Sequence, residues 1–369
     1  MADTIRTLAA QYFQLVDPPH LSLPPDNVLL RPEVQTALYE HMFDESLTPL
    51  PPPTYRTRIL KLLIARIENA IIDPEEDEIL DDLMSCWGTL LAQPKPSAIE
   101  AAQQLSHVKY TAPLQTQSPA NSTQPPSPSS TSESTISSER TVITVESRGV
   151  ILSGGTTGNR TWEAALHLGS FLASPAGKAL VHGKRVIELG AGTGFISLFC
   201  ARHLGVRSVV ATDREPVLIE NMRECVRLNS GSGYKNSESV FADKGLIPMY
   251  PAIWDWGTPL QKTDDMSSLG DDEALQFDVA LGADLIYDTD LVPLLLSTVR
   301  DLFENYGVEQ FIIASTVRNE NTFNTFLRGC ETNEFKAEHL PFKSTASEEQ
   351  TGFFHSTSIP IRTYRISRA

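Results

Sequence analysis

The chain runs to 369 residues, with a formal charge of −16 at pH 7 and 41% hydrophobic content. Its length exceeds that of one typical domain, so a main domain with an appendage is expected. The acidic balance argues against a protein whose chief task is gripping a nucleic-acid backbone, and no apolar run approaches the ~20 residues of a membrane span.

In chain order, residues 4–16 place Ile5, Leu8, Tyr12, Phe13 and Val16 at helical spacing, and Pro18, Pro19, Pro24 and Pro25 end that helix. Residues 31–43 predict a second helix, closed by Pro49, Pro51, Pro52 and Pro53. Residues 55–72 predict a strong third, with Ile59, Leu62, Leu63, Ile67 and Ile71 marking its faces. A fourth is expected over 75–93, opening on Glu75, Glu76, Asp77 and Glu78, acids that complement the dipole of a first turn. That run reads as a solvated face or, more sharply, as a docking surface for a basic partner. Residues 1–107 thus read as a small all-α domain with no catalytic constellation. Residues 108–139 read as a linker, because 115–135 hold no aliphatic or aromatic side chain larger than Ala and cannot build a core.

From Arg140 the pattern alternates between β and α. Strands are expected at 142–145, 185–189, 208–213, 278–283 and 310–316, with a less clear one at 239–242. Helices are expected at 162–172, 195–204, 217–229, 291–306 and 321–330, and two final strands at 334–340 and 358–366 have no helix between them. This order predicts an α/β fold over 140–369: a doubly wound, mostly parallel sheet ending in an antiparallel hairpin.

The stretch Arg185-Val-Ile-Glu-Leu-Gly-Ala-Gly-Thr-Gly-Phe195 organises this domain. Strand, glycine turn and helix together let a backbone come close to a nucleotide-like ligand. A dinucleotide fingerprint would need its third glycine at position 195, where this chain has Phe. Glu188, two residues before Gly190, offers nothing to a pyrophosphate but suits a cationic sulfonium with a free amino group. The turn therefore favours S-adenosylmethionine over NAD, with a ligand-free tight turn as the plainer reading. Asp213, ending the next strand, can accept both ribose hydroxyls; an aspartate capping the helix at Pro216 is the alternative.

Asp284-Leu-Ile-Tyr287 follows another core strand and points into the presumed site. Enzymes that methylate planar amino groups carry Pro-Pro in the middle of such a tetrad, so Leu285 and Ile286 disfavour that chemistry. A helix-capping Asp284 followed by core residues is the competing reading. Trp256 can pack on adenine or equally be core or a surface staple, and Trp162 can close over the cofactor's methionine end or equally anchor its helix. Phe353, Phe354 and His355 read as hairpin core or as walls of a lysine channel.

Taken together, Glu188-Leu-Gly-Ala-Gly-Thr-Gly194, Asp213, Trp256 and Asp284-Leu-Ile-Tyr287 resemble the seven-β-strand lysine methyltransferases of the Asp/Glu-x-x-Tyr/Phe type. More narrowly, Gly155-Thr-Thr-Gly-Asn-Arg-Thr-Trp-Glu-Ala164 and Ala283-Asp-Leu-Ile-Tyr-Asp288 resemble the eukaryotic, and in particular fungal, elongation factor 2 lysine methyltransferases. The resemblance spans about residue 142 to the C-terminus. It implies a Rossmann-like methyltransferase fold, cofactor contacts at Trp162, Gly190, Ala191, Gly192, Asp213, Trp256 and Ala283, and catalytic roles for Asp284 and Tyr287 facing a lysine. It implies elongation factor 2 as protein substrate, acted on by a monomer without direct nucleic-acid or membrane binding.

No His/Cys/Asp cluster suggests a metal. Cys86, Cys200, Cys225 and Cys330 are scattered with no C-x-x-C, and the N-terminal stretch lacks a secretory pattern, so free thiols in a reducing cytoplasm are expected. Two rivals stand beside this reading: an RNA methyltransferase on the same fold, and a binding module that keeps the fold without the chemistry.

Overall fold

The computed structural model describes residues 2–94, 96–97, 100, 104–114, 139–147, 156–230, 249–269 and 275–369. Strand β1 (Leu105–Thr111) pairs antiparallel with β2 (Thr141–Ser147) in a ribbon of its own, Leu105 facing Ser147 and Thr111 facing Thr141. A strand therefore runs across the boundary expected between 107 and 108. Val108 and Tyr110 share one face of it and are fully buried. The free edge of β2 is covered by side chains of the helix Pro216–Asn229: Asn221 Nδ2 donates to Val145 O at 2.8 Å, and Asn229 Oδ1 accepts from Ile143 N at 2.9 Å. Residues 115–138 of the expected linker and the strand expected at 239–242 lie outside the described residues.

The main sheet contains β3 (Arg185–Leu189), β4 (Ser208–Asp213), β5 (Met249–Ile253), β6 (Val279–Ala283), β7 (Gln310–Thr316), β8 (Phe335–Leu340) and β9 (Ile361–Arg368). Its order is β5-β4-β3-β6-β7-β9-β8. Strands β3 to β7 are parallel, and β9 inserts antiparallel between β7 and β8, which leaves β8 at the edge. The expected antiparallel C-terminal pair is present. Alternate residues of each central strand feed two apolar layers. Val186, Val209 and Val279 face Ala164, Phe195 and Ile219, whereas Ile187, Val210 and Ala280 face Leu295 and Phe323. The chain steps outward from β3 through β4 to β5 and then returns to β6. The crevice at the carboxyl ends of β3 and β6 is thus the switch point, where ligands of such sheets lie.

The N-terminal helices are Ala2–Phe13, Asp26–Leu29, Pro32–Leu38, Pro53–Ala70 and Asp81–Ala92. The last starts later than the acidic run suggested. Gln35 accepts from Leu80 N at 2.8 Å and donates to Glu78 O at 3.0 Å, while Asp77 takes the amides of Ile72 and Asp73 at 3.1 Å. These bonds hold the segment out of helix, so Asp81 and Asp82, not Glu75 to Glu78, occupy the first turn.

One apolar core runs from Leu8 and Tyr12 through Val108 and Tyr110 to Phe199 and Phe353. Phe353 is fully buried, its ring 4.9 Å from Phe195 and 5.0 Å from Phe199. Phe354 N donates to Gln14 Oε1 at 3.0 Å, tying the C-terminal loop to the first helix. Truncating Phe353 to Ala should cost about 3–5 kcal/mol of stability, read as a lower urea midpoint, and a loss below ~1 kcal/mol would contradict this packing.

Candidate active site

The crevice at the switch point is a cavity of about 540 Å³ walled by strand ends, the loops that follow them and the segment 156–162. β3 runs into a turn with positive φ at Gly190 (57°), Gly192 (53°) and Gly194 (75°). A Cβ on Gly192 would stand 3.0 Å from Gly158 O, and one on Gly190 would stand 2.6 Å from Leu285 Cδ2. The segment before Trp162 and the loop after β6 therefore close on the turn as tightly as glycine allows. Gly192→Ala should lower cofactor affinity at least about tenfold while the strained φ costs roughly 1 kcal/mol of stability. Unchanged affinity by calorimetry would show that the turn does not cradle the ligand.

Glu188 is 3% exposed, and its Oε2 accepts from Ser197 N at 2.9 Å and Ser197 Oγ at 2.5 Å. Burial pushes its carboxyl up to about 8 against the pull of those two donors, with the charge of Asp213 adding to the rise. Among the described residues no basic side chain pairs with it. Asp213, at the end of β4, receives amides from Gly192 (3.0 Å), Arg214 (2.8 Å) and Glu215 (3.4 Å). Burial still raises its pKa, the three amides opposing.

Asp284 follows β6 with φ at 53°, uncommon for a residue other than glycine. The surroundings over-determine that backbone: Asp284 N donates to Ala314 O at 2.9 Å, Oδ1 accepts from Thr316 N at 2.8 Å, and Oδ2 accepts from Thr316 Oγ1 at 3.1 Å. A strained acid held this firmly is the pattern of a functional position. Arg318 reaches the same carboxylate, Nη1 to Oδ1 at 3.4 Å, and also Glu163 Oε2 from Nη2 at 3.2 Å. Its guanidinium lies 5.4 Å from the ring centre of Trp162, and Arg160 lies 5.3 Å from the same ring. Trp162 caps the helix Glu163–Ala173, and its indole Nε1 donates to Thr157 O at 3.1 Å.

Tyr287 stands at the rim, 62% exposed. Burial and the carboxylates of Asp213 and Asp288 push its hydroxyl above the ordinary range, with Arg214 opposing. Trp256 is half-buried in the wall, whereas Trp254 is buried with Nε1 donating to Thr258 O at 2.7 Å.

The structure brings Trp162, Gly190, Ala191, Gly192, Asp213, Trp256, Ala283, Asp284 and Tyr287 to this one cavity. Phe353, Phe354 and His355 do not line it; they anchor the C-terminal loop, His355 Nε2 meeting Ser344 Oγ at 2.8 Å. Sequence reasoning missed Arg318, Thr316 and Glu163 as neighbours of Asp284. It also missed a buried network in which Glu146 accepts from Tyr110 OH (2.8 Å), Thr144 Oγ1 (2.7 Å) and Thr161 Oγ1 (2.7 Å). Thr161 Oγ1 in turn meets Thr193 Oγ1 of the glycine turn at 2.7 Å, so the β1–β2 ribbon braces the site. Arg318 carried a signal, since it stands two residues past the carboxyl end of β7.

The residues present fit a cationic nucleoside cofactor. A buried carboxylate without a basic partner among the described residues faces a cavity lined by three indoles, Trp162, Trp254 and Trp256, beside a turn that a Cβ would obstruct. Phe195, packed 4.8 Å from Tyr110, fills the place where a dinucleotide-binding turn has its third glycine. Sheet order and site together define a Rossmann-like methyltransferase whose methyl donor is S-adenosylmethionine. A model of the lysine methyltransferase family matches residues 151–332. The chain is 38% identical over 347 residues, 93% of each chain, to protein-lysine N-methyltransferase EFM3 of Chaetomium thermophilum. It is 28% identical over 188 residues to protein-lysine N-methyltransferase EEF2KMT of Homo sapiens, covering 50% of this chain and 53% of that one. It is also 32% identical over 169 residues to EEF1A lysine methyltransferase 3 of Mus musculus, covering 46% of this chain and 60% of that one. The chain belongs to the protein-lysine N-methyltransferase family.

Proposed function

We propose that this chain transfers a methyl group from S-adenosylmethionine to a lysine Nε of elongation factor 2. One observation carries the lysine chemistry: a buried, cation-seeking glycine-turn site and an Asp-Leu-Ile-Tyr tetrad without Pro-Pro open into the same cavity. S-adenosylmethionine supplies an electrophilic methyl group when bound. Asp213 would hold the ribose hydroxyls, Trp256 the adenine, and Glu188 and Trp162 the methionine end, while Gly190, Ala191, Gly192 and Ala283 give their backbones room to approach.

The reacting amine must be neutral, and a lysine in water titrates near ~10.4. Burial in a cavity already holding positive charge lowers that value. Asp284, its oxygens fixed by Thr316, positions the amine, and the proton leaves to water. Tyr287, at the rim, steers the side chain by hydrogen bond or through its ring face. The N-terminal helices, the last of them Asp81–Ala92, would act as a helical appendage, and the chain from β1 at Leu105 onward as the transferase domain, in a cytoplasmic monomer.

The choice of elongation factor 2 rests on the resemblance of the stretches 155–164 and 283–288 to enzymes of that specificity; the mouse relative's name makes EEF1A the competing substrate. Purified elongation factors 2 and 1A, each incubated with labelled S-adenosylmethionine and this protein, separate the two. Ribonuclease-resistant label on a lysine of elongation factor 2 is expected. Label on 1A alone would overturn the substrate, and label lost to ribonuclease would overturn the lysine chemistry.

A further inference from the structure

We propose that Arg318 is the resident cation of the lysine position: it occupies Asp284 until a protein substrate arrives, and the incoming ammonium displaces it onto Glu163. The inference rests on the reading of Asp284 as the residue that faces the lysine.

Asp284 and Glu163 share one guanidinium, that of Arg318, while Arg160 over the same Trp162 ring pairs with neither among the described residues, so the ion-paired cluster carries two carboxylates and one cation. An ammonium entering against Asp284 brings the numbers level, and it arrives with a partner already in place for the arginine it expels. The exposures agree with an exchange of this kind. The side chain of Asp284 is only 8% exposed and pinned by Thr316, whereas that of Arg318 is 41% exposed. One partner is fixed and the other is free to swing.

The distances agree as well. Arg318 stands 3.4 and 3.5 Å from the two Asp284 oxygens and 3.2 Å from Glu163 Oε2, so it already touches the acid onto which it would move. Stacking on Trp162 gives the guanidinium a surface along which to move without losing its second partner. Two cations cannot both sit within ~4 Å of Asp284 without mutual repulsion, so an entering ammonium and Arg318 compete for it. The resident arginine thereby sets a threshold: an amine presented weakly does not displace it, and a well-docked lysine does.

The test is steady-state kinetics against the protein substrate at saturating S-adenosylmethionine, for wild type, Arg318→Met, Glu163→Gln and the double variant. Cofactor affinity is measured alongside, and Arg318→Gln serves as a second replacement should Arg318→Met unfold. Removing the resident cation should lower KM roughly two- to fivefold, the worth of a half-exposed ion pair, with kcat little changed. Glu163→Gln should raise KM by a similar factor when Arg318 is present and have little effect when it is absent, a coupling that a merely structural role would not produce. A raised KM in both Arg318 variants, a loss of cofactor affinity, or a Glu163→Gln effect that is the same in both backgrounds would overturn the proposal. Undiminished methylation by Asp284→Ala would instead remove the underlying reading, and the proposal with it.

Discussion

Asp284→Ala is expected to lower the rate of methyl transfer at least about 100-fold while leaving affinity for S-adenosylmethionine within about threefold of wild type. The separation follows from where the side chain sits. Asp284 leaves β6 at the switch point with both oxygens held by Thr316, on the wall of the same cavity that the glycine turn lines. Its loss removes the anchor that aligns the amine and touches none of the groups proposed to bind adenine or ribose. Asp284→Asn keeps the shape and removes the charge, and should fall close to the alanine variant if holding an ammonium is what matters. Equal loss of cofactor binding in both would show that the residue supports the fold of the pocket instead.

The second large effect concerns protons. Burial raises the Glu188 carboxyl to about 8, against 4.5 for an ordinary glutamate. Between those values the folded protein binds a proton that the unfolded chain has released, so stability falls as pH rises through the window and the whole penalty is present above about 8. On this account the ligand-free protein loses on the order of 5 kcal/mol between about pH 4.5 and 8 through this one group, and Glu188→Gln, which keeps the bond from Ser197, abolishes that slope. A cationic ligand beside Glu188 favours the carboxylate. Binding S-adenosylmethionine at pH 7 should therefore release about one proton, seen as a binding heat that depends on the ionisation enthalpy of the buffer. The same buffer dependence in Glu188→Gln, or none in wild type, would place the cationic end of the cofactor elsewhere.

Those parts of the site that announce themselves locally were legible in the sequence. A β-branched run, three glycines and a helical pattern sit within a dozen residues around Gly190, and Asp213 and Asp284 each end an apolar strand. The sheet needed only alternation of strand and helix to be foreseen. What escaped depends on partners distant in sequence. β1 shows alternation at Val108 and Tyr110, but its pairing partner begins at Thr141, beyond a stretch poor in aliphatic and aromatic side chains, so it reads from sequence as the start of a linker. The acidic run before Asp81 has a first-turn composition, yet it folds into a turn closed on Asp73, and Gln35, from another helix, takes the backbone of Glu78 and Leu80. The third strand of the parallel set is β5 at Met249–Ile253, where Pro251 interrupts the expected pattern. Arg318 belongs to the site only because β6 and β7 are neighbours, which their separation along the chain conceals.

Transfer of labelled methyl from S-adenosylmethionine into a fungal lysate that lacks this protein, with wild type and Asp284→Ala compared side by side, tests the proposed function most directly. A single ribonuclease-resistant band at the size of elongation factor 2, present with wild type and absent with the variant, is the predicted result. No label in any protein, although the cofactor binds, would contradict it and leave a fold that holds the cofactor without performing the transfer.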